Sequence, residues 1–216
     1  MAALVAIGRR EVIGSGSFDE PDGATPLDPD YLEGLIPTWV ATREDLNVAE
    51  QANVLEAIAW ASTTFGQGSV ASLMTDASLR SLHKHMFGAV WKWAGTYRRS
   101  DTNFGVHWPY ISTQVRDLLA DVTTQTSEPD KLPWSADELA VRFHHRLVVI
   151  HPFPNGNGRH ARLAADLLVE ILGQPAFTWG HQDLTRKGAA RAEYLGALRQ
   201  ADLSDDFRPL TAFARL

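Results

Sequence analysis

The stretch "IHPFPNGNGRHARL", residues 150–163, constrains the fold of this chain more than any other part of its sequence. An apolar run over residues 147–150 precedes it, and a run with helical spacing over residues 163–168 follows it. Proline cannot continue the hydrogen-bond ladder of a helix, and glycine adopts backbone conformations that other residues avoid. The sequence therefore predicts two core-forming helices joined by this loop. A simple turn needs one proline or glycine, whereas this loop also holds histidine, asparagine and arginine.

Apolar residues recur at helical spacing along most of the remaining chain. The segment "TYRRSDTNFGVHWPY", residues 96–110, has no such period and predicts a hairpin or an irregular loop. Residues 1 to about 30 are rich in Gly, Ser, Asp and Pro and predict an extended or partly ordered arm. The predicted fold class is all-α, with helices over residues 46–65, 73–91, 111–126, 135–150, 158–171, 185–201 and 208–216.

Composition excludes several classes of function. The 216 residues have a net charge of −6, which argues against wrapping nucleic acid or an anionic membrane. The absence of cysteine excludes disulfides, thiolate zinc sites and a cysteine nucleophile. No run of about eighteen apolar residues predicts a membrane span. We expect a soluble cytoplasmic protein with no nucleic acid and no membrane among its partners.

The second half of the loop is suited to bind an anion. Gly156 and Gly158 let the backbone bend so that several N–H groups converge, and Asn157 is a candidate cap for the helix that follows. The positive end of the helix dipole adds to the attraction. Arg159 and Arg162 are three residues apart and can share one side of the first helical turn. Two guanidinium groups suit a polyphosphate better than a carboxylate.

His151 stands at the other end of the loop, where the incoming helix stops before Pro152. A histidine beside a phosphate cradle can act as general base on an attacking hydroxyl. The alternative is a plain turn with a structural histidine and surface arginines. The combination of His, Asn, Gly and Arg in one short loop favours the functional interpretation.

The loop "HPFPNGNGRHAR" resembles the signature of the Fic family, His-x-Phe-x-(Asp/Glu)-Gly-Asn-Gly-Arg-x-x-Arg. "MFGAVWKWAGTYRRSDTNFG" resembles the helix and β-hairpin flap that precede this motif, and "RAEYLGALRQAD" is similar to the helix that follows it. The resemblance covers roughly residues 46–213. The segment "LEGLIPTWVATREDLNVAEQANVLEA", taken together with the loop, looks closest to the subgroup called mobile mystery protein B, which is found on mobile elements.

The resemblance implies an all-α Fic core with a small β-hairpin flap. Such a core transfers a nucleotide, usually AMP from ATP, to a Ser, Thr or Tyr hydroxyl of a target protein. His151 would be the base and Phe153 would anchor the loop, while the flap around residues 99–106 would register the target chain by strand pairing. Gly156, Asn157 and Gly158 would line the anion hole, Arg159 would hold the β- and γ-phosphates, and Arg162 would assist.

Asn155 is the one break in the motif, because the family has an acid there that holds Mg²⁺. An amide oxygen can ligate Mg²⁺ or Mn²⁺, but without the negative charge of a carboxylate. Two functions of different class therefore remain open. The first is a protein adenylyltransferase weakened at Asn155, and the second is a degenerate Fic fold that binds a nucleotide or a protein with little catalysis.

The family also has an inhibitory pattern, (Ser/Thr)-x-x-x-Glu-(Gly/Asn), whose Glu pairs with the second arginine of the motif. Glu33, followed by Gly34, is the candidate inhibitory residue, although Pro29 stands where Ser or Thr is expected. The alternative is an exposed Glu in a linker. We predict an N-terminal arm with this inhibitory segment over residues 1–45 and a Fic domain over residues 46–216.

Three smaller expectations concern other residue types. Adjacent His144 and His145 face different ways on a helix and, with His151, match no established zinc spacing. His83 is expected at the surface or at its boundary. Arg98 is expected to be a solvated flap charge or a contact for an acidic target.

Overall fold

The computed structural model describes residues 29–181, 184 and 188–216 of the chain. The predicted arm therefore falls mostly outside the described residues. Short 3₁₀ turns lie at Trp108–Tyr110, Pro129–Lys131 and Trp179–His181. The helices of the described part are α1 (Pro29–Leu32), α2 (Arg43–Phe65), α3 (Val70–Leu73), α4 (Asp76–Phe87), α5 (Ile111–Gln125), α6 (Ala136–Ile150), α7 (Asn157–Ile171), α8 (Ala189–Ser204) and α9 (Arg208–Arg215).

The predicted all-α class is confirmed, and most predicted helices lie within a few residues of the observed bounds. The helix expected over 73–91 corresponds to α4, which begins later and ends earlier, and the short α3 precedes it. Thr75 sets the start of α4, because its side chain accepts the backbone N–H of Ser78. Gly88 then caps the end of α4, where its N–H donates to the Lys84 carbonyl.

The helices α6 and α7 form the central pair, and the loop at residues 151–156 joins them. The pair of α2 and α4 packs against α7, while α5, α8 and α9 cover α6 and its neighbours. Completely buried side chains from several helices meet in this core, among them Leu46, Leu82, Ile150 and Leu168. The loop at residues 151–156 is thus held at both ends by helices of the core rather than by surface turns.

The segment 96–107 is irregular and contains no strand, whereas the family resemblance implied a small β-hairpin flap here. Among the described residues, β-type pairing is limited to an isolated antiparallel bridge between Leu35 and Trp91. The segment is nevertheless fixed to the core, because the N–H of Arg98 donates to the Pro152 carbonyl and the N–H of Val106 to that of Ile150. We keep the name flap for residues 96–107.

None of the helices in the described part of the chain is both long and apolar enough to cross a bilayer. The division of the chain at residues 45 and 46 stays a prediction. Residues on the N-terminal side of it contact the core, since the N–H of Ile36 donates to the Val90 carbonyl at 2.9 Å.

Candidate active site

The loop after α6 begins with a change of backbone conformation at His151. His151 caps α6 in the left-handed region (φ 54°, ψ 59°), which is uncommon for a residue with a Cβ. Phe153 then enters the core, is fully buried, and stacks on His83 with 3.7 Å between ring centres. The predicted anchoring by Phe153 agrees with this position. His83 itself is completely buried rather than at the surface, so that expectation was wrong.

Asn157 fixes the loop in a way that the sequence did not suggest. Its Oδ1 accepts the Phe153 N–H at 2.8 Å, and its Nδ2 donates to the Phe153 carbonyl at 2.7 Å. The side chain is therefore turned towards the loop and does not cap α7. Gly156 occupies the cap position with φ 78°, where an added Cβ would lie 2.5 Å from the Phe87 ring. Glycine is required there both by conformation and by space.

The first turn of α7 presents its backbone to the solvent side of the loop. N–H groups at the start of a helix have no acceptor within the helix, and the helix dipole makes this end positive. In α7 these are the groups of Asn157, Gly158 and Arg159. The backbone of residues 157–159 and the turn at Gly156 are where the anion cradle is predicted, and anion binding there stays a prediction.

The cradle opens into a cleft of about 410 Å³ between α2, α6, α7 and α8. This volume is in the range of small-molecule sites. Its apolar wall is made by Val148, Val149, Leu195 and Leu198. The described lining of the cleft includes one acidic residue, Asp202, and five arginines, Arg43, Arg159, Arg162, Arg191 and Arg199, of which Arg159 is also paired with Glu50. In a chain of net charge −6, such a concentration of positive charge indicates an anionic ligand.

His151 lies at the rim of this cleft and is 5% exposed. Its Nδ1 is 3.3 Å from the Val148 carbonyl oxygen. Because a carbonyl can only accept, Nδ1 is the protonated nitrogen in this contact, and Nε2 then has the lone pair. Burial, with a smaller contribution from the positive charge of Arg98, lowers the pKa of His151 to about 3. The imidazole is therefore neutral at pH 7, with Nε2 unprotonated.

Arg159 is held from two sides. Its Nη2 lies 2.5 Å from Oε2 of Glu50, and its guanidinium carbon lies 4.8 Å from the centre of the Phe87 ring. Glu50 is completely buried on α2, where its Oε1 also accepts the indole N–H of Trp91 at 2.7 Å. The predicted phosphate-binding arginine thus lies in the cleft but is paired with a carboxylate that the sequence analysis missed.

Arg162 faces a different wall of the cleft. Its guanidinium carbon lies 5.6 Å from the centre of the ring of Tyr194, a buried residue whose hydroxyl faces His144. That hydroxyl is 3.0 Å from Nε2 of His144, which is also buried. Burial raises the pKa of Tyr194 and lowers that of His144 to about 3. Both groups are uncharged at neutral pH, so they orient Arg162 without neutralising it.

Asn155 does not provide an Mg²⁺ ligand set. Its Oδ1 accepts the Gly156 N–H at 2.6 Å, and its buried Nδ2 has no described hydrogen-bond partner. Mg²⁺ is usually held by one or two carboxylates together with substrate phosphates. No cluster of three His, Asp or Glu side chains that could hold a metal occurs in the described residues. The loop therefore supplies no carboxylate for Mg²⁺, and the predicted metal role of Asn155 stays a prediction.

Glu33 is exposed, and the structure does not bring it to Arg162. The adjoining segment instead supports the flap, because the Tyr31 hydroxyl accepts the Arg99 N–H at 3.1 Å and lies 3.2 Å from the Ser100 hydroxyl. The ion pair from which inhibition was expected is absent among the described side chains. An inhibitory role of Glu33 stays a prediction, and the activity of a Glu33→Gly variant would test it.

Several residues of the cleft were missed by sequence reasoning. Tyr194 lies within the quoted stretch "RAEYLGALRQAD", together with Arg191 and Asp202, but no local pattern marks these residues as parts of a site. Arg98 was expected in solvent and is 2% exposed. These residues are recognised only from the way α8 and the flap pack against the loop. That packing joins segments far apart in the sequence, so no local pattern predicts it.

Comparisons with known proteins agree with the family resemblance of the central part of the chain. The model of the Fic/DOC family matches residues 74–169. The protein adenylyltransferase fic-1 of Caenorhabditis briggsae is 31% identical to the chain over 120 residues, which is 56% of the chain and 22% of that relative. The chain therefore matches only about a fifth of the length of this curated relative.

Solved structures of the family have the same fold. Fic-1 of C. elegans (residues 134–508 of that protein) superimposes with a TM-score of 0.58 at 25% identity, covering 84% of this chain and 50% of the other. The BepC protein of Bartonella tribocorum, solved with bound AMPPNP, superimposes with a TM-score of 0.63 at 16% identity, covering 88% of this chain and 96% of the other.

Proposed function

The chain contains a Fic/DOC family domain, and from this premise we propose that it is a protein adenylyltransferase that transfers AMP from ATP to a hydroxyl of a target protein. Relatives named protein adenylyltransferase support this class of activity. The observation on which the proposal mainly rests is the cleft itself. It joins a neutral buried histidine, a helix N-terminus and five arginines in one space of nucleotide size.

In the proposed reaction, His151 accepts one proton. The target hydroxyl oxygen attacks the α-phosphorus of ATP, a new O–P bond forms, and the bond to the β-phosphate oxygen breaks so that pyrophosphate leaves. The hydroxyl proton passes to Nε2 of His151, which is the unprotonated nitrogen in the tautomer described above. The depressed pKa keeps the imidazole in its base form across the physiological range.

The arginines and the cradle bind and orient the triphosphate. The backbone N–H groups of residues 157–159 suit a phosphate at the helix N-terminus. Arg159 and Arg162 lie on the same turn and approach from different walls, so both can contact the β- and γ-phosphates. The apolar wall formed by α6 and α8 is suited to cover the flat face of a nucleobase. ATP as the nucleotide is also supported by the AMPPNP bound to BepC.

Asn155 favours one competing function, a Fic fold that binds nucleotide with little transfer. Its amide supplies no carboxylate, so the charge that would accompany Mg²⁺ or Mn²⁺ is missing from the loop. The two functions differ in an observable way, because binding without transfer leaves ATP intact.

Labelled ATP separates these functions. The purified chain is incubated with cell lysate and either α-³²P-ATP or γ-³²P-ATP, with Mg²⁺, with Mn²⁺ and with chelator. Transfer of AMP predicts protein bands that carry the α label and not the γ label. Bands that appear with the added chain but not with a His151→Ala control, and that carry the γ label, would contradict adenylyl transfer. Saturable ATP binding without any labelled protein would favour the binding function.

A further inference from the structure

Arg98 is the one arginine of the flap that is buried, and it makes an unusual set of contacts. Its side chain is fully enclosed, and its guanidinium donates only to oxygens of the flap and of the end of α6. Nε donates to the His151 carbonyl at 2.7 Å, and Nη1 donates to the Ser100 carbonyl at 2.8 Å. Nη2 donates to the Val106 carbonyl and also lies 3.4 Å from the Ile150 carbonyl.

These four carbonyls belong to two separate parts of the molecule. Ile150 and His151 end α6 and begin the catalytic loop, whereas Ser100 and Val106 lie on the two sides of the flap. Backbone hydrogen bonds from Arg98 to Pro152 and from Val106 to Ile150 run parallel to the side-chain contacts. The guanidinium therefore links the two ends of the flap to each other and to the backbone of His151 through hydrogen bonds.

The flap also packs directly on the His151 side chain. The Phe104 ring stands edge-on to the imidazole with 4.1 Å between ring centres. Gly105 has φ 111°, and a Cβ there would lie 2.8 Å from both Nη2 of Arg98 and Cβ of His151. A side chain at this position would have to displace one of them. Arg98, Gly105 and His151 are thus in mutual van der Waals contact.

We infer that Arg98 is a positioning residue that couples the flap to the conformation of His151. This inference rests on the proposed function, in which His151 is the base and the flap receives the target. His151 is in the left-handed region, where a residue with a Cβ is strained, so the surrounding contacts must hold it. The hydrogen bond from Nε of Arg98 to its carbonyl is one of the contacts that fix this peptide.

Neither lysine nor glutamine can replace these contacts. A guanidinium has five N–H donors in a rigid plane, whereas an ammonium is a single point donor on a flexible stem. Lysine at position 98 would keep the charge but could not hydrogen-bond to the flap and to the end of α6 at the same time. Glutamine would lose the charge and most of the donors. The two variants therefore separate charge from geometry.

The test compares Arg98→Lys and Arg98→Gln with Arg116→Gln, a matched change of an exposed arginine on α5. The primary readout is the ¹³C–¹H imidazole resonance of His151, assigned with a His151→Gln variant, and its titration with pH. This readout needs no target protein and no transfer. Circular dichroism and the affinity for AMPPNP, measured by calorimetry, report whether fold and cradle are intact.

For both Arg98 variants we expect AMPPNP affinity within about threefold of wild type, a shifted His151 resonance, and at least tenfold slower labelling from α-³²P-ATP. The pKa of His151 should move towards its ordinary value most clearly in Arg98→Gln. An unchanged His151 resonance and titration in a folded Arg98→Gln protein would overturn the inference. If both Arg98 variants unfold, Gly105→Ala tests the same contact from the flap side and should move the same resonance; an unmoved resonance there would also overturn it.

If wild type labels nothing while Arg98→Gln still shifts the His151 resonance, the proposed function fails and the coupling stands. If wild type labels protein and Arg98→Gln labels it at the same rate, the proposed function stands and the coupling fails.

Discussion

Glu50 and Arg159 form an ion pair at the boundary between the core and the cleft, with 2.5 Å between Oε2 and Nη2. The carboxylate is buried and also accepts the Trp91 indole N–H, while the guanidinium is partly exposed to the cleft. A buried charge that loses its partner is costly, because it cannot regain the water that it gave up on folding. The pair therefore links the stability of the fold to the charge state of the phosphate site.

Replacing Glu50 by Gln should destabilise the free protein and make ATP a stronger stabiliser. Gln can still accept the Trp91 N–H, but it leaves Arg159 without a counter-charge in the core. Loss of one partner from such a pair costs up to about 3–5 kcal/mol when both are fully buried, and less here because Arg159 reaches the cleft. Thermal unfolding with and without ATP measures both effects.

The ATP-induced rise in melting temperature should be larger for Glu50→Gln than for wild type, because the phosphates then supply the missing negative charge. An Arg159→Ala/Glu50→Gln double variant provides the thermodynamic cycle. Additive losses in that cycle would show that the two side chains are not energetically coupled.

Arg159→Ala should weaken ATP binding more than AMP binding. The guanidinium is assigned to the β- and γ-phosphates, which AMP lacks. A charge-assisted hydrogen bond contributes about 1.5–3 kcal/mol, or roughly 10- to 150-fold in affinity. Calorimetry with both nucleotides tests this, with Arg116→Ala as the control on an exposed helix face. Equal losses for ATP and AMP would remove Arg159 from this role.

Asn155→Asp should make transfer more responsive to Mg²⁺. The buried Nδ2 of Asn155 donates to no described partner, so an oxygen in its place breaks no described hydrogen bond. The carboxylate adds the negative charge that Mg²⁺ prefers. Titration of Mg²⁺ against labelling rate should show half-maximal rate at a lower concentration for the Asp variant. Slower labelling than wild type at every Mg²⁺ concentration would refute this prediction.

The free energy of unfolding should fall as the pH drops below about 6.5. Burial lowers the pKa of five histidines, so these residues are neutral in the fold but take up protons in the unfolded chain: His83, His144, His145, His151 and His160. Asp166 acts in the opposite sense, because burial raises its pKa to about 7 and the fold then binds the proton more tightly. Five histidines outweigh one aspartate.

Urea unfolding between pH 7.5 and 4.5 measures this dependence. Each buried histidine contributes up to about 1.4 kcal/mol per pH unit. His160→Gln removes one titrating group and retains a donor for the Leu79 carbonyl, so its stability should fall less steeply with acid than that of wild type. Stability that is constant over this pH range would contradict the burial of these neutral imidazoles.

The sequence predicted the helices and the loop well because both depend on local signals. Apolar spacing, the capping residues and the run of Pro and Gly around residues 152–158 act within a few residues of one another. Gly156 illustrates this, since the left-handed turn before α7 requires glycine whatever packs around it. Fic family resemblance then added roles for His151, Arg159 and Arg162 that composition alone could not supply.

The sequence could not predict residues whose roles depend on contacts between distant segments. Glu50 precedes Arg159 by 109 positions, and Arg98 precedes His151 by 53. From their neighbours in the sequence alone, Arg98 and Glu50 would be expected in solvent, and only the packing of α2 and the flap against the loop buries them. His83 was misjudged for the same reason, because its stacking on Phe153 brings together α4 and the loop.

The most direct test of the account is the transfer activity of His151→Ala measured together with its affinity for ATP. His151 is assigned to the proton of the attacking hydroxyl and not to the phosphates. The variant should therefore bind ATP within a few-fold of wild type, remain folded by circular dichroism, and label target protein from α-³²P-ATP about 10²- to 10⁴-fold more slowly. Labelling at the wild-type rate by a folded His151→Ala protein would contradict the assignment of His151 as the base, and with it the proposed mechanism.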